Sequence, residues 1–275
     1  MEQLTREQEI DTQILRIKEK MSKIAYSIIV MSGKGGVGKT SVAVNLAYAL
    51  SLKGKRTGIL DIDIHGPNIA KMLGIEKELL RSSESGIIPV EVKENLKAIS
   101  LALTGNNPDQ PIIWRGPMKA GVIRQFLSEV EWGELDYLII DAPPGTGDEP
   151  LSAIQYISNV SGAVIVTTPQ DVAILDSRKS VMFAQELKIP VIGIIENMSG
   201  FICPYCHKET DIFKKGGGEK AANELDVPFL GSIPFEKQFV ECGDEGKPFV
   251  SLAETKESIK KFIDIVDKIE KFVKN

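Results

Sequence analysis

Several features that mark particular classes of protein are scarce in this chain of 275 residues. It has only three cysteines, which are too few for a disulfide framework and are therefore available as thiols for metal or redox chemistry. No apolar run approaches the roughly 20 residues that a membrane-spanning helix needs. The first residues, MEQLTREQEI, are charged and lack the apolar core of a secretory signal. We therefore expect a cytoplasmic protein without a membrane partner.

The chain also has fewer basic than acidic residues. The formal net charge is −5, which argues against nucleic acid as the main partner. The sequence contains no internal repeat and no low-complexity linker. Its length suits one large α/β domain as well as two small ones, and its ordinary apolar content is sufficient for a substantial core.

A glycine-rich stretch, GKGGVGKT at residues 33–40, fits the phosphate-loop pattern G-x-x-x-x-G-K-[ST]. The apolar run Tyr26–Met31 precedes it and the apolar-periodic run Val42–Leu52 follows it, so the loop joins a strand to a helix. Backbone N–H groups of such a loop turn toward an anion, and the helix N-terminus adds its positive dipole end. We expect Lys39 to reach the β- and γ-phosphates and Thr40 to hold Mg²⁺. The residues predicted to bind the nucleotide in this loop are Gly33, Lys34, Gly35, Gly36, Val37, Gly38, Lys39, Thr40 and Ser41.

Apolar strand-like runs alternate with helical patterns along most of the chain. The clearest predicted strands are Tyr26–Met31, Gly58–Ile62, Tyr137–Ile140, Ala163–Thr167 and Val191–Glu196. The clearest predicted helices are Ser41–Leu52, Met118–Val130, Glu149–Ile157, Val172–Leu187 and Leu252–Val273. Because the strands are rich in Val and Ile without polar alternation, we expect them to be buried on both faces. The pattern predicts an α/β fold with a doubly wound, mostly parallel sheet flanked by helices, and Ser82–Pro111 as a hairpin or an extended insertion.

Aspartates follow two of these strands, at the edge of the sheet where ligands bind in open α/β folds. Asp141 ends an apolar strand, as a Walker-B aspartate that helps to hold Mg²⁺ does. We expect Asp61 to serve the magnesium shell and Asp63 to orient the attacking water. The turn Gly145–Gly147 is flexible enough to act as a switch loop that senses the γ-phosphate.

Lys34 is a second lysine near the start of the loop, and an ordinary phosphate loop does not need it. It is either a solvated surface lysine or a side chain that reaches the phosphates of another subunit. There it would stabilise transition-state charge as an arginine finger does. The residue by itself does not separate these two interpretations.

A pair of cysteines, Cys203 and Cys206 in the string CPYC, is the second chemical feature. A C-x-x-C pair is typical of a dithiol redox centre, half of a zinc site or half of an iron–sulfur site. A redox motif should open a helix after the first strand of a small domain, whereas this pair follows the fifth clear strand. Cys242, in VECGDEGKP, is expected to be an incidental thiol in a polar turn.

The stretch GKGGVGKT resembles the deviant Walker A motif of MinD-like ATPases, whose early lysine acts across a dimer. Further motifs narrow the resemblance, namely DIDIHGPN, WRGPM, DAPPGTGD, ENMSGFICPYC and KGGGE. Together they resemble the Mrp family of ATP-binding iron–sulfur cluster carriers, from about Met21 to about Gly246. The resemblance implies a MinD-like ATPase domain at residues 24–275 that forms a homodimer, with a cysteine loop near 198–212. Residues 1–23 are then a helical extension.

The resemblance also implies roles for single residues. Lys34 is then the cross-subunit lysine, Asp63 positions the attacking water, and Asp141 is the Walker-B residue. Asn197 is expected to contact the adenine, for which its amide offers both a donor and an acceptor.

The cysteine pair has half of the ligands that a [4Fe–4S] cluster or a structural zinc generally takes. A two-fold dimer in which each chain gives Cys203 and Cys206 is the simplest completion, and the resemblance implies the same arrangement. We therefore expect a slow ATPase that uses ATP and Mg²⁺ and carries a [4Fe–4S] cluster at the dimer interface. Its expected partners are apo iron–sulfur acceptor proteins and scaffold proteins, and we expect ATP to gate loading or release of the cluster.

Two other functions stay open. A MinD- or ParA-like spatial regulator would bind membrane or DNA, and the end IDIVDKIEKFVKN is amphipathic as a membrane-surface helix would be. Its polar face mixes acidic and basic residues, which weakens attraction to anionic lipid. A zinc-bridged ATPase switch would use the same cysteines without any cluster chemistry.

Overall fold

The structure is a computed structural model that describes residues 6–64, 66–105, 116–157, 159–202, 209–212, 214–252 and 257–275. The strands are β1 Ile24–Met31, β2 Thr57–Asp61, β3 Arg81–Ser82, β4 Ile87–Ile88, β5 Val90–Lys93, β6 Leu96–Ile99, β7 Leu135–Asp141, β8 Val160–Thr167, β9 Val191–Ile202, β10 Glu209–Thr210 and β11 Phe229–Phe235. The α-helices are α1 Arg6–Met21, α2 Lys39–Leu52, α3 Ile69–Met72, α4 Gly116–Glu129, α5 Asp148–Tyr156, α6 Asp171–Glu186, α7 Gly217–Glu224, α8 Lys237–Asp244 and α9 Glu257–Lys274. Two 3₁₀ turns, Leu101–Thr104 and Phe249–Ser251, complete the described elements.

The central sheet is mostly parallel, as the sequence predicts. Its strands follow the order β10-β9-β8-β1-β7-β2-β6-β5, and β11 pairs with β9 beside this path. β5 and β10 pair antiparallel with their neighbours, whereas β1, β2, β6, β7, β8, β9 and β11 form parallel pairs. The predicted doubly wound α/β fold is confirmed.

Helices cover both faces of the sheet because successive side chains of its strands point to opposite sides. In β1, Ile28 and Val30 pack among residues of α2 and α9. Their neighbours Ile29 and Met31 pack among residues of α1, α4 and α7. The absence of polar alternation in the sequence of β1 therefore reflects two separate hydrophobic layers.

The region that was expected to be a hairpin or an insertion contributes a strand to the central sheet. β3 and β4 do form a short hairpin, but β6, with sequence LKAI, pairs parallel to β2. Four residues are too few to show a strand period in the sequence, which is why β6 was not predicted. β11 was missed because Gly231 and Pro234 interrupt its apolar run. Residues 106–111 of the expected insertion lie outside the described residues.

The described part of the N-terminal extension, α1, lies against α4. Its side chains Ile17 and Met21 are buried in the core. The ammonium of Lys20 donates to the carbonyl oxygens of Glu129 and Val130, both at 3.2 Å, and so caps the end of α4. The division of the chain into an extension at 1–23 and a domain at 24–275 stays a prediction.

The C-terminal helix α9 uses its apolar face inside the fold. Ile259, Phe262, Val266 and Ile269 are buried, and the helix packs on β11 and α2. The amphipathic pattern that suggested a membrane-surface helix therefore has a partner within the chain. None of the helices in the described ranges combines the length and the apolar content needed to cross a bilayer.

A buried carboxylate, that of Glu270, fixes α9 to the end of α2. It is bonded to the ammonium of Lys53 and accepts from Lys274 Nζ at 2.9 Å and from the Tyr137 hydroxyl at 3.1 Å. Burial alone would raise the pKa of the Glu270 carboxyl. The bonds from Lys53 and Lys274 outweigh burial and lower the pKa from 4.5 to about 2.

We expect Glu270→Gln to lower the free energy of unfolding near neutral pH by up to about 2 kcal/mol, since solvent screens part of the network. A carboxyl whose pKa is lowered by folding stabilises the protein above pH 4.5, and this contribution is lost as the pH falls toward 2. In urea denaturation, the difference between wild type and variant should therefore shrink over that pH range. A difference that stays constant would contradict this account.

Candidate functional site

The glycine-rich loop lies between β1 and α2, at the carboxyl edge of the parallel strands. A Cβ atom on Gly33 would lie 2.2 Å from the carbonyl oxygen of Asp176 in α6. Gly38 has φ +85° and precedes α2, and a Cβ atom there would lie 2.2 Å from Nδ2 of Asn197. These two glycines are thus required by the packing of the loop against the protein itself, in addition to any ligand.

Four of the predicted site residues meet around one buried ion pair. The ammonium of Lys39 lies 2.6 Å from Asp141 Oδ1 and 3.6 Å from Asp63 Oδ2. The hydroxyl of Thr40 donates to Asp141 Oδ2 at 2.6 Å. Burial raises the pKa of the Asp141 carboxyl, and the adjacent Lys39 ammonium opposes that shift. Both groups that should bind phosphate and magnesium are therefore held by one carboxylate.

Asp61 makes a different set of contacts from those expected of a residue that faces a metal. Its carboxylate accepts from the Ser100 hydroxyl at 2.9 Å and from the backbone N–H groups of Asp63 and Ile69 at 3.1 and 3.4 Å. Burial and the nearby Asp141 carboxylate raise the pKa of Asp61 well above its usual value. These bonds hold the segment that carries Asp63, while the place of Asp61 in the magnesium shell stays a prediction.

Asn197 lies in β9 beside the loop. Its side chain is buried, and Nδ2 donates to the carbonyl oxygen of Val37 at 2.8 Å. This bond spans 160 sequence positions and connects the phosphate loop to the strand that leads toward the cysteines. The role of Asn197 as the adenine contact stays a prediction.

A cleft of about 410 Å³ opens above these groups, which falls in the roughly 300–1,000 Å³ range of small-ligand sites. The loop forms one side, with Lys34, Gly35, Gly36, Gly38, Lys39, Thr40 and Ser41. The other side comes from the end of β11 and from α8, namely Pro234, Phe235, Glu236, Phe239, Val240, Gly243 and Asp244. Sequence reasoning missed this second side because it had not recognised β11. The one available signal for the end of this strand was the string IPFE, in which the polar Glu236 follows an apolar run.

Lys34 lies at the cleft and is half-buried. Its backbone is fixed, since the Ser32 hydroxyl donates to the Lys34 carbonyl oxygen at 2.9 Å. Within the described ranges, its ammonium makes no hydrogen bond or ion pair. Lys34 is thus a lining residue of the cleft whose ammonium has no counter-ion among the described residues.

The cleft residues fit a magnesium-bound nucleotide. The loop offers backbone N–H groups and the Lys39 ammonium to phosphate, and Thr40 and Asp141 offer oxygens to a hard cation. Within the part of the chain that the structure describes, no three His, Cys, Asp or Glu side chains group into a metal site of their own.

The family model described as NUBPL iron-transfer P-loop NTPase matches residues 23–270. The chain belongs to this family. An iron–sulfur cluster carrier protein of Methanocaldococcus jannaschii is 55% identical over 257 residues, which cover 93% of this chain and 89% of that protein. A protein of the same name from Methanococcus maripaludis is 50% identical over 264 residues, covering 95% and 91% of the two chains.

Two solved structures are similar to this chain. A nucleotide-binding protein of Archaeoglobus fulgidus, in complex with ADP and with cobalt, is 39% identical, with 85% of this chain and 91% of that chain covered and a TM-score of 0.75. The cell-division ATPase MinD of Pyrococcus furiosus is 22% identical, with 90% and 99% covered and a TM-score of 0.64. At that identity, the likeness to MinD shows the fold alone.

The cysteines fall in two places. Cys203 and Cys206 lie outside the described residues, between the end of β9 and the start of β10. Cys242 was expected in a polar turn, and this expectation was wrong. It lies in α8 and is buried beside Phe249 and Ile259. The polar residues next to it in the sequence lie on the exposed side of this short amphipathic helix.

We expect Gly38→Ala to destabilise the nucleotide-free protein by about 1–3 kcal/mol, the usual cost of a strained backbone conformation. The added methyl group would also displace Asn197 from Val37. Gly35→Ala is the matched control, since a Cβ atom there meets nothing within 4 Å. Thermal unfolding without nucleotide should show a lower midpoint for Gly38→Ala only, and equal midpoints would refute the packing role of Gly38.

Proposed function

We propose that the chain is an ATP-binding and ATP-hydrolysing carrier that holds a [4Fe–4S] cluster as cargo and transfers it to apoproteins. The observation that carries this proposal is that Lys39, Thr40 and Asp63 line one cleft, with the buried Asp141 bonded to both Lys39 and Thr40. That cleft lies in a chain of the NUBPL-type iron-transfer family whose sequence also contains Cys203 and Cys206. The names of the two archaeal relatives support the same cargo.

The nucleotide step follows from the charges around the ion pair. Phosphate competes with Asp141 for the Lys39 ammonium, and Thr40 and Asp141 supply oxygens for Mg²⁺. When bound, Mg²⁺ would neutralise charge on the phosphates. Asp63, whose Oδ2 lies 3.6 Å from the Lys39 ammonium, would orient the attacking water. The loop backbone would hold the phosphates, and Asn197 would contact the base.

Lys34 completes this site from a second chain. Lys34 lines the cleft, and its ammonium has no counter-ion among the described residues, as expected of a group that neutralises phosphate charge across an interface. A homodimer therefore serves both halves of the proposal, because each chain also supplies two of the four thiolates for the cluster.

The switch segments connect hydrolysis to the cargo. Gly145, with φ +95°, donates its N–H to the Ser32 carbonyl oxygen at 2.8 Å, which ties the Gly145–Gly147 turn to the loop. The backbone N–H of Asp63 donates to the carboxylate of Asp61, the last residue of β2, which holds Asp63 in place. A change at the γ-phosphate would shift both segments at the dimer interface and so gate loading or release of the cluster. Slow hydrolysis, scaffold and acceptor partners, and a cytoplasmic location belong to the same proposal.

The cargo has a direct test. After anaerobic reconstitution, the doubly substituted protein Cys203→Ala with Cys206→Ala should lose the visible thiolate-to-iron absorption while it keeps its ATP affinity. Cys242→Ala is the control, since this thiol lies in α8 and should not affect the cluster. Metal analysis of the wild type decides between iron with sulfide and zinc. Zinc without iron, or a cluster that survives the double substitution, would refute the carrier function.

Mixing two inactive variants tests whether Lys34 acts across the dimer. Lys34→Ala should bind ATP but hydrolyse it slowly, and Lys39→Ala should fail to bind ATP. If Lys34 acts in trans, a mixture of the two should regain hydrolysis, because the Lys39→Ala chain still offers its Lys34 to the partner's intact site. A mixture with no more activity than its separate components would contradict the cross-subunit role.

A further inference from the structure

Glu196 is a charged residue in β9 that the nucleotide site does not use. Its side chain is fully buried, which is unusual for a carboxylate without a compensating partner. The next residue, Asn197, lines the cleft and bonds the phosphate loop. Glu196 is therefore one residue from the nucleotide site, at the start of the stretch that leads to Cys203 and Cys206.

The partners of the Glu196 carboxylate come from both ends of that stretch. Oε1 accepts from the Ser199 hydroxyl at 2.5 Å and from the Gly216 N–H at 2.9 Å, and Oε2 accepts from the Gly218 N–H at 2.5 Å. The two glycine donors lie at the N-terminus of α7, where the helix dipole also favours a negative charge. The carboxylate thereby connects the end of β9 to the start of α7.

The KGGGE motif receives a physical explanation from these contacts. A Cβ atom on Gly218 would lie 3.0 Å from Cβ and 3.2 Å from Oε2 of Glu196, and one on Gly217 would lie 2.6 Å from the Pro169 carbonyl oxygen. Gly216 has φ +82°. The glycines allow α7 to approach the buried carboxylate closely, so this turn binds a side chain of its own protein.

Within the chain between the two anchored ends, the backbone takes unusual conformations on both sides of the cysteines. Met198 has φ +57° and Lys214 has φ +71°. Residues other than glycine rarely adopt this left-handed backbone region. Such conformations persist where the surroundings hold the backbone in place. The structure therefore keeps an uncommon backbone conformation next to each anchor.

We propose that Glu196 is a positioning residue for the cysteine pair, which it serves by holding both ends of the stretch 197–215 against the sheet. This inference rests on the proposed role of Cys203 and Cys206 as ligands. Glu196 is not itself a ligand, because its two oxygens accept three hydrogen bonds and are shielded from solvent. Its position next to Asn197 also gives a short covalent route from the nucleotide cleft to the cysteines.

The test compares Glu196→Gln with Glu270→Gln, a second buried carboxylate far along the chain in α9. Glutamine keeps the shape of the side chain but presents an NH₂ group to one of the backbone donors. Co²⁺ alone is titrated into each anaerobic protein, and binding is followed by thiolate-to-cobalt absorption. We expect Glu196→Gln to bind Co²⁺ about tenfold more weakly than wild type, as is typical when a supporting residue of a metal site is changed. ATP affinity should be unchanged, and Glu270→Gln should bind Co²⁺ as wild type does.

The outcomes separate this inference from the proposed function. If wild type itself shows no thiolate-to-cobalt absorption, the ligand role of the cysteines fails. If wild type binds Co²⁺ and Glu196→Gln binds it equally well, or if Glu270→Gln is weakened as much, the positioning role is overturned. Should Glu196→Gln not fold, Gly218→Ala replaces it, since the methyl group pushes against the carboxylate while Glu196 stays. Unchanged Co²⁺ affinity in that variant would also overturn the inference.

Discussion

The buried ion pair between Lys39 and Asp141 is the constraint on which the site depends. It forms because β1 and β7 are adjacent and parallel, with Val30 opposite Asp141, so that the first residue of α2 meets the last residue of β7. A buried pair gains little net stability, since both charges lose their hydration. Its value here is that it keeps a lysine and a threonine together, at a place where phosphate and a cation can take over the same contacts.

β9 connects the two chemical regions of the molecule. Asn197 binds the phosphate loop from this strand, and Glu196 beside it binds the N-terminus of α7. Adjacent residues of a strand point to opposite sides, so one strand end supports both the cleft and the base of the cysteine stretch. In the proposed function this strand is the part of the chain that connects the nucleotide cleft to the stretch carrying the cysteines.

The parts of the fold that were predicted from sequence have strong local signals. The phosphate loop, the five buried strands and the amphipathic helices show their periods over many residues, and Asp61, Asp63 and Asp141 could be placed at strand ends. β6 and β11 were missed because one is too short and the other is interrupted by Gly231 and Pro234. Because β11 was not predicted, the second side of the cleft was not predicted either. Cys242 was misplaced for a related reason, since a helix of eight residues gives a weak period.

The sequence by itself determined which chemical groups are present. Phosphate-loop glycines, strand-end carboxylates and a cysteine pair are recognised from their residue types and spacing alone. The tertiary structure alone decided which of these groups touch. Lys39 and Asp141 are separated by 102 positions and Glu196 and Gly218 by 22, and no local pattern encodes such distances. They are set by the order and register of the strands, which depend on packing the whole hydrophobic core on both faces of the sheet.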